Sequence, residues 1–125
     1  MNAPLNSDRE AALFGVLRIG HATSMRGPGL SLRDALERAT YVDLRSKFGA
    51  DDLVPILDSR PSLIEEWVAY SEDKRTSGGW YLLRSCEIGT VETPKQQRRF
   101  SSMSKAVAGF VVAELDFWAR LTPAR

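Results

Sequence analysis

Apolar residues recur at helical spacing in several stretches of this chain, and two short runs are rich in β-prone residues. Leu13, Phe14, Val16, Leu17 and Ile19 give the first stretch a broad apolar face. Ser7, Asp8, Arg9 and Glu10 precede it in the order of a capping box, so a helix is expected to begin there after a frayed tail over residues 1 to 6. Gly20 and the segment from Met25 to Gly29 (MRGPG) break the pattern and predict a mobile loop. A second helix is expected from Ser31 to Gly49, with Leu32, Ala35, Leu36, Ala39, Val42 and Phe48 along one stripe.

A brief third helix, capped by Asp51 or Asp52, carries Leu53, Ile56 and Leu57, and Pro55 is acceptable in it only because first-turn amides need no intrahelical acceptor. A fourth runs from Pro61, a favoured first helical residue, to about Glu72, with Leu63, Ile64, Trp67, Val68 and Tyr70 on its inner face. After Gly78 and Gly79 the period changes. Trp80 to Leu83 and Ile88 to Val91 read as strands, and Arg99 to Ser101 as a short third. A final helix from Met103 to Leu121 carries Val107, Phe110, Val111, Leu115 and Trp118 at helical spacing, with Ala106, Ala108 and Gly109 permitting close approach. The expectation is a single α+β domain over residues 1 to 125, mainly helical. A two- or three-stranded antiparallel sheet is covered by the C-terminal helix.

Length and composition agree with one core: 125 residues, 43% hydrophobic and 26% charged. The formal charge of +1 argues against a dedicated nucleic-acid binder. One cysteine, Cys86, cannot form an internal disulfide, and with one histidine, His21, it forms no zinc-type cluster, so a cytoplasmic location and no cofactor are expected. There is no signal-like start or long apolar run, and no membrane association is expected.

Catalytic signatures are equally sparse. His21 stands at an expected helix end, where the helix dipole or plain exposure accounts for it. Cys86 lies beside Glu87, whose carboxylate opposes thiolate formation. The glycines match neither a phosphate-binding loop nor a nucleophile elbow. Lys74 to Ser77 (KRTS) suits an anion, but suits a helix end and turn better. No enzymatic activity is expected.

Charge is distributed unevenly. Between residues 51 and 73 stand Asp51, Asp52, Asp58, Glu65, Glu66, Glu72 and Asp73 against Arg60 alone, a local charge of −6. Such a face steers a basic partner toward the protein. At the other pole, Lys95, Arg98, Arg99 and Lys105 occur in a segment without acids, from Pro94 to Lys105, that could meet an anion or RNA backbone. Phe100 is the single aromatic among them, fewer than a stacking platform uses.

The junction from Tyr70 to Leu82 (YSEDKRTSGGWYL), followed by Glu87 to Val91 (EIGTV) and the helix from Ala106 to Trp118, resembles small bacterial immunity proteins of contact-dependent growth inhibition and other polymorphic toxin systems. The resemblance covers about the second half of the chain. It implies a cytoplasmic, non-enzymatic inhibitor that binds a cognate toxin domain, often a nuclease. Combined with the charge layout, the expected recognition face comprises Asp51, Asp52, Asp58, Glu65, Glu66, Glu72 and Asp73, with whichever of Trp67, Tyr70 and Trp80 are exposed as anchors. The alternative is a small nucleic-acid-binding regulator using the 95–105 segment.

Overall fold

The computed structural model describes residues 3–24, 27–74, 78–92 and 96–120, with side chains from residue 8 onward. Helix α1 (Ala3–Leu17) starts upstream of the expected capping box. Ser7 is therefore inside the helix and residues 3 to 6 belong to it, although the Ser7 side chain lies outside the described residues. A short α2 (Ile19–Ala22) follows. The expected loop at Met25 to Gly29 is described only from Gly27, and at Gly29 the backbone takes a left-handed φ of 68°.

The long second helix is broken. Ser31 caps α3 (Leu32–Arg38) as expected, its Oγ accepting from the Asp34 amide at 3.1 Å. The chain then turns at Thr40 (φ 51°) into α4 (Tyr41–Leu44) and a 3-10 turn (Arg45–Lys47). A β-branched residue in the left-handed region costs about 1–2 kcal/mol. Contacts with the last helix hold it there. The Tyr41 hydroxyl donates to Asp116 Oδ1 at 2.6 Å, and Arg45 Nε donates to both carboxylate oxygens of Asp116 at 2.9 and 3.1 Å. Buried beside that carboxylate, the Tyr41 phenol is held far above its usual range, chiefly by desolvation and then by its bond to Asp116.

Helix α5 (Ala50–Ser59) is longer than expected. Its N-cap is Gly49, and Asp52 reaches back from the third helical position to accept the Gly49 amide at 2.8 Å. Pro55 stands beyond the first turn and forgoes a helical hydrogen bond, yet the helix persists because Leu53 and Leu57 are fully buried. Helix α6 (Pro61–Asp73) matches expectation and buries Leu63, Trp67 and Val68.

Strands β1 (Trp80–Leu82), β2 (Glu87–Thr90) and β3 (Gln97–Arg99) form an antiparallel sheet in the order β1-β2-β3. The third strand lies two residues earlier than the spacing predicts. Trp80 pairs with Thr90 and Leu82 with Ile88, while Ile88 pairs with Arg98 and Glu87 with Arg99. Helix α7 (Met103–Trp118), capped by Ser102, packs on the sheet and on α5 and α6. Its Val107, Phe110, Val111 and Leu115 are fully buried, which makes it the centre of the core. Leu121 lies outside the described residues.

Candidate functional site

Two features concentrate chemistry: a buried polar cluster on α7, and the outer face and edge of the sheet. The cluster centres on Glu114, a carboxylate with no exposed surface. Its Oε2 accepts the Tyr70 hydroxyl at 2.7 Å and its Oε1 accepts the Trp80 amide at 2.8 Å. Lys74 Nζ lies 2.9 Å from Oε2 and also donates to the carbonyls of Gly78 and Trp80 at 3.0 and 2.8 Å. Desolvation and the neighbouring carboxylate push the Tyr70 phenol far above its ordinary range. Gly79 (φ 83°) sits so close that any Cβ there would strike Glu114, Trp118 and Lys74.

These bonds seal one edge of the sheet. In an antiparallel pair alternate residues point their backbone groups away from the partner. Leu83 and Val91 bond across to Glu87 and Gly79, so Trp80 and Leu82 face outward from β1. All four outward groups have side-chain partners: Trp80 N–H on Glu114, Trp80 C=O on Lys74, and both Leu82 groups on Ser71 Oγ at 2.9 and 3.3 Å.

The opposite edge is open. Thr90 and Phe100 bond to Gln96 and Cys86, which turns the N–H and C=O groups of Gln97 and Arg99 outward, and these have no partner among the described residues. All three residues of β3 are exposed. The Arg98 guanidinium lies 5.9 Å from the centre of the Trp80 ring, on the core side of the sheet edge. Arg99 is 3.6 Å from Glu87 on the other face, with its side chain 76% exposed. On that outer face Tyr81 lies across Gly89, where a Cβ would collide with its phenol, and the hydroxyl is bonded to Glu87 at 2.8 Å and to Gln97 at 3.3 Å. The bond to Glu87 raises the Tyr81 phenol's pKa. Leu83 and Val91, both exposed, extend this face.

The expected acidic face is divided by internal bonds. Asp52 is held by the Gly49 amide and lies 3.3 Å from Arg9, which together keep its carboxyl below the usual range. Asp58 accepts the Ser104 hydroxyl. Glu65 lies 3.0 Å from Arg84, which lowers its pKa as well. Glu66 bonds Arg18 at 2.9 Å through Oε2, with His21 3.9 Å away, while its Oε1 is buried with no hydrogen-bond partner among the described residues. Asp51, Glu72 and Asp73 are exposed and form no ion pair among the described residues.

The aromatic anchors turn inward. Trp67 is fully buried, its Nε1 donating to the Leu17 carbonyl at 2.8 Å; Trp80 is buried under the sheet edge; Tyr70 is half-buried on Glu114. Their inner-face positions on α6 and β1 explain this, and it removes Trp67 and Trp80 from any surface. Glu114 belongs to no motif, whereas Lys74 opens the Lys74-to-Ser77 stretch and meets an internal carboxylate. Glu114 did leave a signal, as a lone carboxylate four residues from both Phe110 and Trp118 in the apolar stripe of α7.

Of the other features, an open groove of about 750 Å³ runs past Leu32, Leu36, Val42 and Trp118. Among the described residues no three His, Cys, Asp or Glu side chains are grouped to hold a metal ion, and no helix is long and apolar enough to cross a membrane. Comparison with protein-family models, curated proteins and solved structures finds no match to this chain.

Proposed function

We propose that this protein works by binding another protein, as a non-enzymatic immunity-type inhibitor that neutralises a cognate toxin domain in the cytoplasm. One observation carries the reading: Glu72 and Asp73 are exposed in the last turn of α6 and form no ion pair among the described residues, although Glu72 adds to the field on Arg84. The negative end of a helix dipole disfavours carboxylates there by about 0.3–1 kcal/mol each. Their placement disfavours the isolated helix, which fits groups reserved for a basic partner. Glu65 lies on the same helical face one repeat earlier, and Asp51 adds a more distant charge. The acidic face is thus narrower than the charge count suggests.

The test begins with purification of the tagged protein from its native cell and identification of what stays attached. Expressed alone in a host lacking this chain, that partner should arrest growth, and co-expression should relieve the arrest. Replacing Glu72 by Gln and Asp73 by Asn should slow association roughly tenfold at low salt with the fold unchanged. A partner that is harmless alone, or neutralisation with an unchanged association rate in that variant, overturns the reading.

A further inference from the structure

We infer that the β3 edge is a docking site for an extended, acidic segment of a partner protein, which adds to the sheet as a fourth strand. The inference rests on the reading above only in taking the partner to be a polypeptide. Three observations lead to it. The outward N–H and C=O groups of Gln97 and Arg99 are spaced as a strand requires and have no partner among the described residues. The same sheet closes its other edge completely with Glu114, Lys74 and Ser71, so the open edge is a local property of β3. The chemistry around β3 is cationic: Arg98 has no carboxylate partner among the described residues, Arg99 is largely exposed, and Lys105 stands exposed just beyond.

The charge selects the occupant. A second copy pairing edge to edge would set arginines against arginines, which is unfavourable in a sheet. An acidic strand places carboxylates across from Arg99 on one face or Arg98 on the other. Tyr81, Leu83 and Val91 extend the outer face with side chains of the kind that contribute at protein interfaces. Nucleic acid would find the cations, but one aromatic on this face, Tyr81, is already bonded to Glu87 and Gln97.

The probe is a synthetic peptide of alternating threonine and glutamate, with a threonine–lysine peptide as its counterpart, added to the full chain. Amide exchange read by NMR should slow about tenfold or more at Gln97 and Arg99 with the glutamate peptide and stay unchanged with the lysine peptide. Gln97→Pro removes one outward donor while leaving the bonds to β2 intact, and should weaken binding about tenfold or more. The double variant Arg98→Gln, Arg99→Gln, which keeps every backbone donor, should erase the preference for glutamate over lysine.

Peptide binding without protection at those amides overturns the inference. So does protection that appears on raising the protein concentration alone, which would make a second copy the occupant. A mixed-sequence single-stranded RNA that protects or shifts this edge while the peptide is silent overturns it in favour of nucleic acid. A toxic partner neutralised equally well by Gln97→Pro sinks the edge and leaves the proposed function standing. Peptide addition at the edge in a protein that neutralises no toxin does the reverse.

Discussion

Strand β1 gives its outward backbone groups to Glu114, Lys74 and Ser71, whereas β3, at the far edge of the same sheet, leaves the backbone groups of Gln97 and Arg99 facing outward with no partner among the described residues. The difference follows from burial. The outer edge of β1 abuts α6 and α7, where an unsatisfied amide or carbonyl costs about 1–3 kcal/mol, so each group needs a protein partner. The exposed β3 can be satisfied by water, and charge alone is enough to discourage unwanted pairing. The polar side chains gathered at β1 satisfy that edge. The edge with fewer interactions is the one available for another molecule.

Glu114→Gln should break the sealed side most severely. It leaves Lys74 buried without its counter-charge, and losing one partner of a buried pair costs about 3–5 kcal/mol, measurable as a lower urea midpoint. Raising the pH acts more gradually, on the Tyr70–Glu114 bond of that side and on the Tyr41–Asp116 bond of α4. The fold keeps the Tyr70 and Tyr41 phenols protonated well above their ordinary value of 10.0. Above that pH the unfolded chain loses protons that the folded one retains, so stability is fully present below about pH 10 and falls as the pH rises further. With two such phenols the slope approaches roughly 2.7 kcal/mol per pH unit. Denaturant titrations between about pH 9 and 11 would read it, and a flat profile would contradict the burial of both phenols.

Ser71→Ala leaves both Leu82 groups bare and should cost about 1–3 kcal/mol, with faster amide exchange at Leu82 as its local signature. On the open side, Gln97→Pro should change stability by less than about 0.5 kcal/mol, since it disturbs no backbone bond made within the sheet and removes only an exposed 3.3 Å side-chain bond to Tyr81. If Ser71→Ala and Gln97→Pro proved equally costly by urea denaturation, the contrast between the edges would be lost.

Much of this fold is legible in local sequence because local chemistry decides it. Ser31 and Ser102 cap the helices they precede, Pro61 opens α6, and the strand-like runs after Gly79 pair as a hairpin. The break at Thr40 is not legible, because apolar spacing continues through it. What divides that helix is Asp116, 75 residues away from Tyr41 in sequence. Pro55 misleads in the opposite direction, since burial of Leu53 and Leu57 outweighs a missing hydrogen bond. For the candidate site, charge counts show how many carboxylates lie between 51 and 73 but not their partners: Arg9, Arg18, Arg84 and Ser104 all come from outside that segment. Trp67 and Trp80 look like interface residues by type and prove internal by position.

The sealing of β1 by α7 also has a consequence in time. Glu114 follows Trp80 by 34 residues, so a chain synthesised from its N-terminus completes the strand well before the carboxylate that closes it exists. Throughout that interval the Trp80 amide lacks its acceptor, although Ser71 and Lys74, which precede the strand, can already serve the other three outward groups, and a neighbouring nascent chain could engage the amide left bare. Emergence of the last described helix ends this vulnerability on one side and leaves the arginine-lined side as the lasting route of approach.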